Sequence, residues 1–77
     1  MDHLVNHLLA QETAEEMEQA LGELLTSSEL LEMTKRLQIL ALLEQGVPQR
    51  QIADQLGVGI ATVTRGASVL KRRKEEG

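Results

Sequence analysis

The sequence predicts a small all-α protein, and three observations carry that prediction. Four or five helices account for the sequence, and nothing in it reads as a strand. Two capping boxes, Thr13-Ala-Glu-Glu16 and Thr26-Ser-Ser-Glu29, each precede apolar residues at helical spacing. Aromatic residues are absent, so the core must be built from Leu, Ile, Val, Met and Ala, a set that suits helices. Seventy-seven residues make one small domain at most, hard to stabilise on its own core. That size and composition point to burial against a second copy.

Each helix has a local reason. Leu4, Val5, Leu8 and Leu9 give a first helix over Asp2 to Ala10. From the cap at Thr13, Met17, Ala20, Leu21, Leu24 and Leu25 form the stripe of a second. The cap at Thr26 opens the longest helix, which ends near Gln45-Gly46. It carries Leu30, Leu31, Met33, Leu37, Ile39, Leu40, Ala41, Leu42 and Leu43, apolar almost all round in its second half, which marks a helix buried on several sides. Pro48 suits the first turn of the next helix, where a missing N–H costs nothing. Gly57-Val58-Gly59 then turns the chain into a last helix from Ile60 to Arg73, and Lys74 to Gly77 reads as a frayed polar tail. The expected organisation is therefore a helical dimerisation core over 1–45, a helix-turn-helix over 46–73 and the tail over 74–77.

Residues 49–70 carry the functional signal. With Gln49 as the first position of a helix-turn-helix, a small Ala53 falls fifth, Gly57 ninth and Val63 fifteenth. Ala53 allows close helix approach, Gly57 accepts a left-handed backbone, and Val63 packs between the helices. Ile60, Val63, Ala67 and Leu70 form the inward face of the second helix, leaving Ala61, Thr62, Thr64, Arg65 and Ser68 outward, small or polar groups suited to a DNA groove. A plain helical hairpin would explain the glycine turn but not this outer face. Gly59, without a side chain, leaves the first N–H groups of the helix open to a phosphate.

Charge is segregated to match. The chain carries a net charge of -4, yet Met1 to Thr34 holds eight acidic residues and no Lys or Arg, while Lys35 to Gly77 holds eight basic and four acidic. Between Gly46 and Lys74 the only acid is Asp54, against Arg50, Arg65, Lys71, Arg72, Arg73 and Lys74. That is the distribution of a phosphate-binding face on an acidic protein. Gln49, Arg50, Gly59, Ile60, Ala61, Thr62, Thr64, Arg65, Ser68, Lys71, Arg72 and Arg73 are the candidate DNA-binding residues.

Other classes find less support. Without Cys there is no disulfide or thiolate metal site. His3 and His7 share a helix face at i, i+4 but have no third ligand nearby, so no metal site is assigned. No nucleophile–base pairing or phosphate loop suggests an enzyme. Apolar runs are too short to span a bilayer and the N-terminus lacks a signal pattern, so a cytoplasmic, non-membrane protein is expected. An interaction module presenting the acidic N-terminal half to a protein partner is the alternative outside DNA binding.

The stretch from Leu24 to Lys71, about three fifths of the chain, resembles the bacterial tryptophan repressor family. The most specific part is Gly59-Ile-Ala-Thr-Val-Thr-Arg-Gly66, similar to the family's recognition-helix string, with Leu24-Leu-Thr26, Arg36 and Gln49-Arg50 at matching places. The resemblance implies an intertwined helical homodimer with two helix-turn-helix reading heads, a double-stranded DNA operator as partner, repression of transcription, and L-tryptophan or a related indole acid as corepressor. It further implies a ligand site of Leu24, Leu25, Thr26, Arg36, Arg65, Gly66 and Val69. In it Arg36 would stack on the indole, Arg65 and Thr26 would hold the carboxylate, carbonyls near Leu24 and Leu25 would accept from the ammonium, and Gly66 would leave room beside the ring. Three departures bear on the ligand and not on DNA: Val69 stands where the family has a serine, the turn Gly46-Val47-Pro48-Gln49 is one residue short, and the family's last helix has no counterpart before Gly77. The alternative kept open is a helix-turn-helix protein that binds DNA without a ligand.

Overall fold

The computed structural model describes residues 1–76, and among them the fold is all-α with no strand. Five helices follow in order: α1 (Asp2–Leu9), α2 (Ala14–Leu24), α3 (Ser27–Glu44), α4 (Gln49–Leu56) and α5 (Ile60–Glu76). The chain forms two compact units, Met1–Leu31 and Glu32 onward. In the second, Ile39, Leu42 and Leu43 of α3 belong to the same apolar cluster as α4 and α5.

Both capping boxes form. The Thr13 hydroxyl accepts from the Glu16 N–H at 3.1 Å while Glu16 accepts from the Glu12 N–H at 2.8 Å. At α3 the Thr26 hydroxyl accepts from the Glu29 N–H at 3.2 Å, and the Glu29 carboxylate accepts in return from the Thr26 N–H at 2.9 Å. That second bond holds the Glu29 carboxyl below its ordinary pKa, because it stabilises the charged form.

In the first unit Ala20 is the one buried residue, with Leu8, Met17, Leu21, Leu25 and Leu30 half-buried. Leu4, Val5, Leu9 and Leu24 stay exposed, so this unit holds little core of its own. In the second unit Ile39, Ile52, Ala53 and Val63 are buried together, and Leu42, Leu43, Val47, Leu56 and Val58 pack around them.

Gly57 ends α4 with φ 67° and ψ 37°, the left-handed conformation that favours glycine, and the Val58 N–H closes the turn on the Ala53 carbonyl at 3.1 Å. Gly46 ends α3 the same way at φ 84°, with the Val47 N–H on the Leu42 carbonyl at 3.1 Å.

Four expectations are corrected. α1 stops at Leu9, with Ala10 as its cap. Pro48 is the N-cap of α4 and not a residue of its first turn, its φ of -60° and ψ of 143° being extended. α5 continues to Glu76, so Lys74, Glu75 and Glu76 are helical instead of a frayed tail; Gly77 lies outside the described residues. A helix already nucleated adds residues at little cost, and Arg73 and Lys74 suit its last turns. Finally, within one chain α3 buries only Ile39, while Leu31, Met33 and Leu37 are exposed, Leu37 by 69%. Its all-round apolarity is not met by contacts within the chain.

Candidate nucleic-acid and ligand site

α4, the Gly57 turn and α5 form the helix-turn-helix that the spacing predicts. Ile52 and Ala53 face inward from α4, Val63 faces inward from α5, and all three are buried in one cluster. Burying Val63 and Ile52 fully stabilises the pair by roughly 1.5–3 kcal/mol each. With the inward face so fixed, Ala61, Thr62, Thr64, Arg65 and Ser68 are exposed on α5, as are Arg50 on α4 and Gly59 in the turn, and Ile60, expected on the inward face, is exposed as well because it starts the helix beyond the buried Val63. Lys71, Arg72 and Arg73 are exposed further along α5.

Three of these side chains already have partners in the chain. The Thr64 hydroxyl lies 3.0 Å from Gln49 Oε1 and 3.0 Å from the Ile60 carbonyl, tying the first residue of α4 to the second turn of α5. The Ser68 hydroxyl lies 3.3 Å from the Thr64 carbonyl. Arg73 pairs with Glu44 at the end of α3, 3.4 Å away, and both side chains remain well exposed. An exposed pair of this kind contributes little to stability, but it directs the Arg73 guanidinium along the protein surface.

Between α3 and α5, within the second unit, lies an open cleft of about 270 Å³. Arg36 stands at one side on α3 and Arg65 at the other on α5, with the Thr62 hydroxyl beside them. Ile39 and Leu40 supply the apolar wall from α3, Gly66 and Val69 from α5. Gly66 is required by the close helix approach: a Cβ there would sit 2.9 Å from Ile39 Cγ2 and 3.4 Å from Leu43 Cδ1. Arg36 also reaches Glu32, one turn back on α3, at 3.8 Å, both exposed.

Of the residues assigned to a ligand from the sequence, the fold brings Arg36, Arg65, Gly66 and Val69 into this one cleft. Leu24, Leu25 and Thr26 belong to the first unit. There Leu25 is the cap of α2, its N–H on the Leu21 carbonyl at 2.9 Å, and Thr26 caps α3. Leu24 lines an apolar groove with Leu4, His3 and His7. Ile39, Leu40 and Thr62 were not assigned to the ligand. The i, i+3, i+4 spacing of Arg36, Ile39 and Leu40 puts all three on one helix face, a signal present in the sequence.

Among the described residues no three His, Cys, Asp or Glu side chains gather as a metal group would require. No helix among them is long and apolar enough to cross a membrane.

Comparison with known proteins gives a family and several relatives. The family model for the Trp repressor protein matches residues 1–76. A Trp operon repressor homolog of Vibrio cholerae serotype O1 is 46% identical over 63 residues, 80% of this chain and 61% of the relative. One from Vibrio vulnificus is 39% identical over 74 residues, 95% of this chain and 70% of that protein. A third, from Actinobacillus succinogenes, is 49% identical over 49 residues, 62% of this chain and 48% of the other. The chain thus spans about three fifths of the length of the first of these relatives. No solved structure matches it.

Proposed function

Because the chain belongs to the Trp repressor protein family, we propose that it is a sequence-specific DNA-binding transcriptional repressor that acts as a homodimer. The observation that carries this reading is the packed α4–α5 pair, whose buried Ile52, Ala53 and Val63 leave a continuous exposed face of small, polar and basic groups. Ile60 to Ser68 would read bases; Arg50, Lys71 and Arg72 would hold phosphates, with Arg73 free to join them on release from Glu44. Relatives named Trp operon repressor homolog support an operator as the partner. The exposed apolar groups of α3 support a second copy as the other partner.

The corepressor belongs to the same reading: L-tryptophan or a related indole acid in the cleft between α3 and α5. Two guanidinium groups over an apolar wall suit a flat ring with a carboxylate, since a guanidinium stacks on aromatic faces and binds carboxylates as a fork. A ligand-independent repressor is the second reading, favoured by the Thr64–Gln49 bond and the Arg73–Glu44 pair, both of which brace the head without a ligand. The deciding experiment is a titration of operator-like duplex DNA with and without L-tryptophan, across a range of salt. Salt-sensitive binding that tightens with tryptophan supports the first reading. Binding indifferent to it supports the second, and no salt-sensitive binding removes both.

A further inference from the structure

Resting on the reading of the α4–α5 pair as a DNA-binding head, we infer that Gln49 meets the duplex as a hydrogen-bond donor only, and that Thr64 is the positioning residue that commits it to that role. Gln49 opens α4 and is half-buried, while Thr64 is exposed in the second turn of α5. The Thr64 hydroxyl stands 3.0 Å from Gln49 Oε1 and 3.0 Å from the Ile60 carbonyl oxygen. Both of these partners are acceptors, so the single hydroxyl proton is spent within the head. Thr64 therefore acts on DNA through Gln49 and offers no proton of its own. The Gln49 amide is held by its oxygen, which leaves Nε2, the other branch of the planar group, pointing away from Thr64 with two N–H donors. A glutamine that reads adenine uses both branches, accepting from N6 while donating to N7. With Oε1 turned to Thr64, Gln49 lacks the accepting half of that pair. What it recognises is an acceptor on the duplex: a phosphate oxygen, or the major-groove edge of guanine or thymine. The contact is uncharged, so it adds affinity without releasing a counterion.

The test begins with selection of preferred sites from a pool of randomised duplexes by the full chain. Affinities of the native chain, Gln49→Ala, Gln49→Glu, Thr64→Val and Thr64→Ser are then measured across a range of salt, with melting temperatures to confirm that each variant is folded. Gln49→Ala should weaken binding about fivefold, the ratio that one net hydrogen bond gives, and leave the salt slope unchanged. A loss equal on every duplex assigns the acceptor to a phosphate, and a loss confined to guanine or thymine at one position assigns it to that base. Gln49→Glu keeps the shape and an oxygen for Thr64 but has no donor, so it should bind more weakly than Gln49→Ala. Thr64→Val releases Oε1 and should admit adenine at a contacted base, or weaken a phosphate contact about twofold. Thr64→Ser keeps the hydroxyl and should behave as the native chain does, a rescue that turns on the hydrogen bond and not on side-chain shape. Gln49→Glu binding as tightly as the native chain overturns the inference, because the oxygen then makes the contact. So does Gln49→Ala within twofold of the native chain on every duplex, or Thr64→Ser matching Thr64→Val. In those cases the native chain still binds DNA and the repressor reading stands, whereas a native chain that selects no duplex removes both.

Discussion

Gly66 decides how closely α5 lies on α3, and its missing side chain is matched to Ile39, which is 1% exposed and β-branched. An added methyl at 2.9 Å cannot be absorbed by rotating Ile39, because that side chain is packed and stiff at χ1. Gly66→Ala should therefore destabilise the protein by about 1–3 kcal/mol, typical of overpacking, and narrow the cleft. Denaturant unfolding measures the first effect and loss of indole-acid binding the second. Glu29 is a residue whose contribution depends on pH. Its carboxyl is held below the ordinary value by the Thr26 N–H. Stability gained from that bond is thus complete above the pKa of an unfolded glutamate and is lost as pH falls through the lower, folded value. Comparing melting temperatures of the native chain and Glu29→Gln should show the native chain ahead at neutral pH, with the gap closing in acid.

At the scale of elements, two glycines end helices and the turns differ in what they hold. Gly57 joins α4 to α5 with φ 67°, a conformation that costs a non-glycine residue roughly 1–2 kcal/mol. No atom crowds the position, so Gly57→Ala should cost about that much through backbone strain alone, read as a lower urea midpoint with an unchanged slope. On α5 the cations should separate by their partners. Lys71→Ala or Arg72→Ala should weaken binding to every duplex and lower the salt slope by about one. Arg73→Ala should lower it less, because its guanidinium is shared with Glu44. Salt-dependent binding curves of the three variants decide this, and equal slopes would place Arg73 among the phosphate contacts without reserve. Thr64→Val, which removes the bond to Gln49 but keeps the shape, should alter sequence preference more than overall affinity, since it loosens the set of α4 on α5.

For the molecule as a whole, exposed apolar surface is the dominant fact. Leu31, Met33 and Leu37 on α3, with Leu4, Leu9 and Leu24 in the first unit, are left uncovered by the chain itself. Covering a side chain such as Leu37 contributes roughly 1.5–3 kcal/mol, so a few of them across a shared surface outweigh what the first unit holds in its own interior. We expect a homodimer with no stable folded monomer. Its thermal midpoint should rise with protein concentration, and sedimentation should give twice the chain mass at micromolar concentration. A folded monomer there would contradict this. Two heads so paired would meet half-sites about 34 Å apart, one duplex turn.

Much was legible from the sequence because it is local. Capping boxes at Thr13 and Thr26, the glycine at 57 and the inward Ile52, Ala53 and Val63 depend on neighbours within a few positions, and each formed as its spacing predicts. Helix ends were less legible: Leu9 ends α1 where neither glycine nor proline marks the stop, so propensity alone left it open by a residue. The recognition string and the run of cations were equally readable, being properties of residue type along one helix. What tertiary structure alone decided is which residues far apart in sequence meet. That Arg36 faces Arg65 across a cleft, that Gly66 touches Ile39, and that Thr64 and Arg73 are held by Gln49 and Glu44 follow from how α5 lies on α3 and α4. Periodicity says which side of a helix turns inward, whereas the partner it meets is set by close packing of three-dimensional shapes, which no single helix encodes.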